Sequence, residues 1–199
     1  MVRTGLNEDK ETLMRMWKLC FPQDSDRFIR FYFENIYAND ETLVYVENNQ
    51  PVASMQIIPY QIKTRDNLLW GGYISGAMTH PDFRKKGYMD KLLRTSFDEM
   101  IKKKYDYALL IPQEKWLINM YAKYGFILCE PSHQPHENKV IKTPLQWSVM
   151  QQDYFEETGV WLENEPVIQN EHKWMIKRLN PAVEKITSLY MGMMLDLII

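Results

Sequence analysis

Cysteine is nearly missing from this chain: there are two in 199 residues, Cys20 and Cys129, with no Cys-x-x-Cys pair. That scarcity argues against a disulfide framework and predicts free thiols in a reducing cytoplasm. The four histidines and two cysteines have no ligand spacing, so no metal site is expected. No apolar run approaches the roughly 20 residues of a membrane span. Residues 1–8 hold no apolar segment of signal-peptide length. Excess positive charge is also missing. The 24 basic and 26 acidic residues give a net charge of -2, whereas a general nucleic-acid binder should be more basic. There is no Gly-x-x-x-x-Gly-Lys pattern, which argues against a phosphate-loop nucleotide binder. No internal repeat and no low-complexity tract is present.

What is there describes a soluble globular protein. Hydrophobic residues make up 45%, aromatics 13% and charged residues 25%, enough apolar material for a full core. The length predicts one domain, or one domain with a small appendage. Asn7 is a candidate N-cap for a helix over 8–20, with Leu13, Met16, Trp17 and Cys20 on one face. A second helix starts at Asp24 or Ser25 and runs to about 37. Its Phe28, Phe31, Tyr32 and Phe33 pack a core or wall an acceptor pocket. Strands are expected over 41–47, 51–64 and 68–79, the first two joined by a turn at Asn48-Asn49-Gln50. Gly71, Gly72 and Gly76 in the third strand predict a bulge or the close approach of a ligand.

The most informative stretch follows. An apolar strand ends at Thr79-His80-Pro81, and Pro81 has no N–H to continue a ladder. Then come Arg84, Lys85, Lys86 and Gly87. From there Met89, Leu92, Leu93, Phe97 and Met100 recur at helical spacing. A helix N-terminus offers unpaired backbone N–H groups, a ready site for phosphate. Gly87 lets the chain turn tightly with no side chain in the way. Downstream, 107–111 reads as a buried strand between helices. Trp116, Leu117, Met120, Tyr121 and Tyr124 share a helical face, and Gly125 is placed as a left-handed cap before a strand from Phe126.

Arg84-Lys85-Lys86-Gly87-Tyr88-Met89, between a strand and a helix, resembles the acetyl-CoA signature of the GNAT N-acetyltransferase superfamily, Gln/Arg-x-x-Gly-x-Gly/Ala. It matches at the first and fourth positions, and Met89 stands where a small residue is usual. Tyr121, Gly125 and Phe126 fit a second family pattern, Tyr-x-x-x-Gly-Phe, although Glu114 replaces the Asn common seven residues earlier. The His-Pro lead-in with Arg84, Gly87 and Leu92 looks nearest the enhanced-intracellular-survival branch. The resemblance covers about residues 2–149. It implies an α/β (α+β) fold with a mixed, twisted central sheet and flanking helices. The strands over 74–79 and 107–111 would splay to admit the pantetheine arm of acetyl-CoA.

By that resemblance, backbone groups of Ala77, Met78 and Thr79 hold the pantetheine and polarise the acetyl carbonyl. The loop of Arg84, Lys85, Lys86, Gly87, Tyr88 and Met89 holds the diphosphate, and Tyr121 protonates the departing thiolate. The implied reaction is direct attack of an amine, from a small molecule or a peptide, on acetyl-CoA. Glu114, His80, Asp82 and Glu34 are candidate bases, none with decisive spacing. A catalytically idle acyl-CoA-binding or regulatory module is the alternative. Residues 1–149 form the expected acetyltransferase domain. Residues 150–199 are an acidic, then apolar extension that docks on it or mediates a homodimer. Further strands are expected over 126–129 and 139–149, and a short helix over 182–189. Neither nucleic acid nor a membrane is an expected partner.

Overall fold

The computed structural model describes residues 1–131, 138–142, 144–164 and 174–190. The chain divides into two compact units, residues 1–58 with 73–103 and residues 59–72 with 104–199.

In the first unit the strand order is β1 (Val2–Thr4), β2 (Thr42–Glu47), β3 (Gln50–Lys63) and β4 (Leu68–Thr79), the last two of which also lend residues to the second unit. β1 pairs antiparallel with β2, and β2 antiparallel with β3, with Val44 opposite Ser54. The β2–β3 turn works because Asn48 and Asn49 take φ of 50° and 62°, a region asparagine tolerates better than most residues. β1 escaped the sequence reading because three residues carry too little alternation.

Helices α1 (Lys10–Cys20), α2 (Asp26–Asn35) and α3 (Tyr88–Lys102) complete this unit. The expected N-cap at Asn7 is corrected. A 3-10 turn over Asn7–Asp9 precedes α1, and Asp9 closes it by accepting the Leu6 N–H at 2.8 Å. Arg3 grips the same carboxylate through two bonds of 2.6 and 2.9 Å. Asp9 is only 3% exposed. Burial alone would raise its carboxyl, but Arg3 and the Leu6 N–H bring it below its ordinary range. α2 begins as expected, with Ser25 Oγ accepting the Phe28 N–H at 3.0 Å. Leu13, Met16, Trp17, Phe28, Ile29, Tyr32, Phe33, Val44 and Met78 form one buried cluster. Each large apolar side chain buried there contributes about 1.5–3 kcal/mol. The core reading therefore holds for Phe28, Tyr32 and Phe33, whereas Phe31 is only half-buried and outside the cluster.

The second unit holds the far ends of β3 and β4, then β5 (Tyr107–Leu110), α4 (Lys115–Ala122), β6 (Ile127–Pro131), β7 (Lys139–Ile141), α5 (Pro144–Thr158), β8 (Trp174–Arg178) and β9 (Ser188–Leu189). Its strands run in the order β3-β4-β5-β8-β6-β9, with β7 on β3. β8 lies antiparallel to both neighbours, Ile176 facing Leu109 on β5 and Ile127 on β6. The close approach expected at Gly71 is to side chains. A Cβ there would sit 3.0 Å from Leu109 and 3.2 Å from Ile62.

Two expectations fail here. The strand expected over 139–149 ends at Ile141, because Pro144 opens α5 at a position where its missing N–H costs nothing. No helix forms over 182–189. Asn180 Oδ1 accepts the Ala182 N–H at 3.0 Å, a local turn, and the Tyr107 hydroxyl accepts the Ile186 N–H at 3.3 Å. The apolar end expected over 189–199 lies, beyond Tyr190, outside the described residues. The architecture is mixed α/β, with a mostly antiparallel sheet and flanking helices.

Candidate active site

β4 delivers the chain to the basic loop, and the stop is local chemistry. Pro81 opens a 3-10 turn over Pro81–Phe83, and His80 caps it, its Nδ1 accepting the Asp82 N–H at 3.3 Å. Asp82 in turn lies 3.8 Å from His80 Nδ1. These two candidate bases therefore serve the turn. Lys85 then takes φ of 64° and Gly87 φ of 78°. Gly87 is the N-cap of α3 and has no side chain to cap it. The first-turn N–H groups of α3 thus meet a left-handed, concave backbone, the arrangement that suits an anion. A Cβ added at Gly87 would meet nothing within 4 Å, so glycine is needed there for its φ rather than for space. The left-handed Lys85 was not legible in the sequence, since lysine carries no such preference.

The three cations behave differently. Arg84 folds back, its Nε donating to Thr79 O at 3.2 Å. Cys20 Sγ lies 3.4 Å from the same oxygen, so the Thr79 carbonyl already has two donors. Burial pushes the Cys20 thiol up, against the pull of Arg84. Lys86 sits 3.6 Å from Glu47 and 4.7 Å above the Phe83 ring. Lys85 is exposed. Tyr88 turns its ring onto Tyr45, with centroids 4.1 Å apart, and donates its hydroxyl to Glu47. That bond pushes Tyr88 up to about 12. Glu47, held below its ordinary range by Tyr88 and Lys86, is the counter-charge that sequence reasoning missed. Met89 is half-buried, and Leu92, Leu93 and Met100 are buried on the face that periodicity indicated. A cleft of about 530 Å³ opens beside the turn, lined in part by Glu8, Arg15, Asn49, His80 and Phe83.

Along β4, Met78 is buried, whereas Ala77 and Thr79 are half-exposed. Gly76 takes φ of 55°, a left-handed turn of the backbone within β4.

In the second unit, Tyr121 is 7% exposed on α4 and packs edge-on against Phe126 at 5.8 Å. Burial pushes its hydroxyl up to about 12, so it stays protonated. An acid this weak donates a hydrogen bond readily and gives up its proton only to a strong base. Gly125 takes φ of 86°, the expected cap, and Lys177 from β8 donates to Tyr124 O at 2.5 Å. The expected common face is corrected at Trp116, which is 59% exposed. Its indole N–H donates to Glu114 at 2.6 Å, and that contact occupies a third candidate base. Glu34 is exposed on α2. Among the described residues no group of three or more His, Cys, Asp or Glu could hold a metal ion. No described helix is long and apolar enough to cross a membrane.

A sequence profile described as the acetyltransferase (GNAT) domain matches residues 1–129. The chain belongs to this family. Its fold is shared with solved GNAT structures. YhbS from Escherichia coli, crystallised in complex with CoA, has a TM-score of 0.64 at 13% identity, over 98% of this chain and 91% of that one. A GCN5-related N-acetyltransferase from Anabaena variabilis has a TM-score of 0.58 at 15% identity, over 65% of this chain and 32% of that one. Eis1 from Mycobacterium abscessus has a TM-score of 0.55 at 8% identity, over 63% of this chain and 31% of that one. The chain thus matches about a third of the length of the last two proteins. A comparison with curated proteins finds no match.

Proposed function

We propose that this GNAT domain moves an acetyl group from acetyl-CoA to an amine by direct attack. The observation that carries the reading is the entry to α3. Positive φ at Lys85 and Gly87 leaves an uncapped helix N-terminus, and the segment leading into it carries Arg84, Lys85 and Lys86. That site suits a diphosphate, and a CoA-bound YhbS of the same fold supports the choice of coenzyme. In this reading the backbone of Arg84, Lys85, Lys86, Gly87, Tyr88 and Met89 binds the diphosphate. Main-chain groups of Ala77, Met78 and Thr79 lie along the pantetheine. Because the Thr79 carbonyl already has two donors, the contact proposed from this residue is through its N–H.

Tyr121 is the proposed donor to the departing thiolate. With its hydroxyl near 12, its contribution is a hydrogen bond that strengthens as negative charge builds on sulfur. The amine must lose a proton to attack, and with His80, Asp82 and Glu114 engaged locally, water in contact with the acceptor is the proposed carrier. The His80-Pro81 lead-in with Arg84, Gly87 and Leu92 supports placement near the enhanced-intracellular-survival branch. Two free thiols favour a cytoplasmic setting. We assign residues 1–149 to the transferase domain and residues 150–199 to an extension of it, which supplies β8 between β5 and β6.

The test is product formation from acetyl-CoA with a panel of small amines and peptides. Acetylated product that falls strongly with Tyr121→Phe supports the reading. Coenzyme binding with no product, unchanged by that variant, points to an idle acyl-CoA-binding module.

A further inference from the structure

The first unit carries a buried polar trio at Ser75, the residue before the left-handed Gly76 of β4. The Tyr32 hydroxyl donates to Gln56 Oε1 at 2.6 Å and lies 3.1 Å from Ser75 Oγ. A phenol has one proton to give, so with that proton on Gln56, Ser75 is the donor in the second bond. Gln56 is anchored from its other end, its Nε2 donating to Ile36 O at 2.8 Å, at the C-terminus of α2. All three side chains are buried.

The strand responds to this trio. In a regular strand successive side chains point to opposite faces. Here Ser75 meets Tyr32 of α2, and at the next residue a Cβ on Gly76 would fall 2.5 Å from Trp17 of α1. The Trp17 and Tyr32 rings touch, with centroids 4.6 Å apart. Two neighbouring positions of β4 therefore face the same helix pair, which only the turn at Gly76 allows. Met78 returns to that core, and Ala77 is left half-exposed. Packing alone does not call for a hydroxyl at position 32. Its helix neighbours Phe28 and Phe33 are buried as plain hydrocarbon, and a phenylalanine would fill the same space without desolvating a polar group.

We propose that Tyr32 is a positioning residue for acyl transfer: acting through Ser75, it fixes the turned backbone at Gly76 so that the main-chain N–H groups after it aim at the acyl carbonyl. The proposal rests on the acetyl-CoA reading above. It adds how that backbone is held and by which side chain. A donor aimed at a developing oxyanion works because it is already oriented when charge appears. A trio tying α2 and β3 to the residue before Gly76 supplies that orientation.

The test is infrared difference spectroscopy of carbonyl-labelled acetyl-CoA bound to the wild type, Tyr32→Phe and Ser75→Ala. Calorimetric titration of CoA and a melting curve accompany each protein. Tyr32→Phe keeps the ring and its contact with Trp17, and Ser75→Ala provides a second, independent cut of the same link should the first fail to fold. In the wild type the bound carbonyl band lies below that of free acetyl-CoA. In both variants it moves back at least halfway to the free position, while the CoA dissociation constant stays within about twofold, because the diphosphate loop is untouched. A band shifted equally in all three proteins, or not shifted in the wild type, overturns the positioning role and leaves coenzyme binding standing. A wild type that takes up no coenzyme overturns the acetyl-CoA reading and this proposal with it.

Discussion

The indole N–H of Trp17 donates to the buried carboxylate of Asp24 at 2.6 Å, closing the α1–α2 corner that packs against Gly76 of β4. Burial pushes the Asp24 carboxyl up, and the Trp17 bond only partly offsets that. A carboxyl whose folded value exceeds its unfolded one contributes stability at low pH. That contribution is lost as pH rises through the folded value, so at neutral pH Asp24 is a charge held at some cost. Asp24→Asn keeps an acceptor for Trp17 and removes the charge. It should raise the melting temperature at pH 7 by about 2–4 °C, and the gain should shrink as pH falls through the raised carboxyl value. Asp24→Ala should lower the melting temperature at every pH, since it leaves a buried N–H unpaired.

Arg3 and Asp9 work in the opposite sense. The Asp9 carboxyl is held below its ordinary range, so its stabilisation is present above the unfolded value and lost as pH falls through the folded one. Arg3→Gln should cost about 1–2 kcal/mol at pH 7 in denaturant unfolding, mostly from the stranded carboxylate. The difference from wild type should close in acid.

Two glycines should respond differently to alanine. Gly76→Ala sets a Cβ 2.5 Å from Trp17 at a φ of 55° and should cost about 2–4 kcal/mol of stability. Gly87→Ala meets no neighbour within 4 Å and should cost about 1 kcal/mol. Its larger effect should be on coenzyme affinity, because relieving the strained φ turns the amides at the start of α3. Melting curves and calorimetric titration on both variants separate the two roles.

Tyr121→Phe should lower kcat by about 10²-fold with little change in KM for acetyl-CoA. Because burial holds the Tyr121 hydroxyl near 12, the wild-type rate should show no basic limb from this group at the ordinary tyrosine value near 10. A kcat–pH profile from 6 to 11 with an acceptor amine checks this.

Much of this was legible in order and period. Helical spacing in α1, α2 and α3, the Asn48-Asn49 turn, the Pro81 stop and the Gly125 cap are each decided within a few residues, and each stands where the sequence pointed. What escaped was non-local. Trp174, Met175 and Ile176 form too short an apolar run to announce a strand, and β8 exists because β5 and β6 both have an edge for it. Likewise periodicity says that Tyr32 is buried, but not that its hydroxyl meets Gln56 and Ser75, residues 24 and 43 places away. Glu47 was invisible for the same reason. Nothing near it in sequence shows that Lys86 and Tyr88 will converge on it.

Titration calorimetry of coenzyme A into the wild type and the double variant Lys85→Glu, Lys86→Glu tests the central claim most directly. Saturable one-site binding to the wild type, weakened at least tenfold in the double variant and falling with added salt, is the result expected of a diphosphate seated at the start of α3. No binding to the wild type, or equal binding to both proteins, would contradict it.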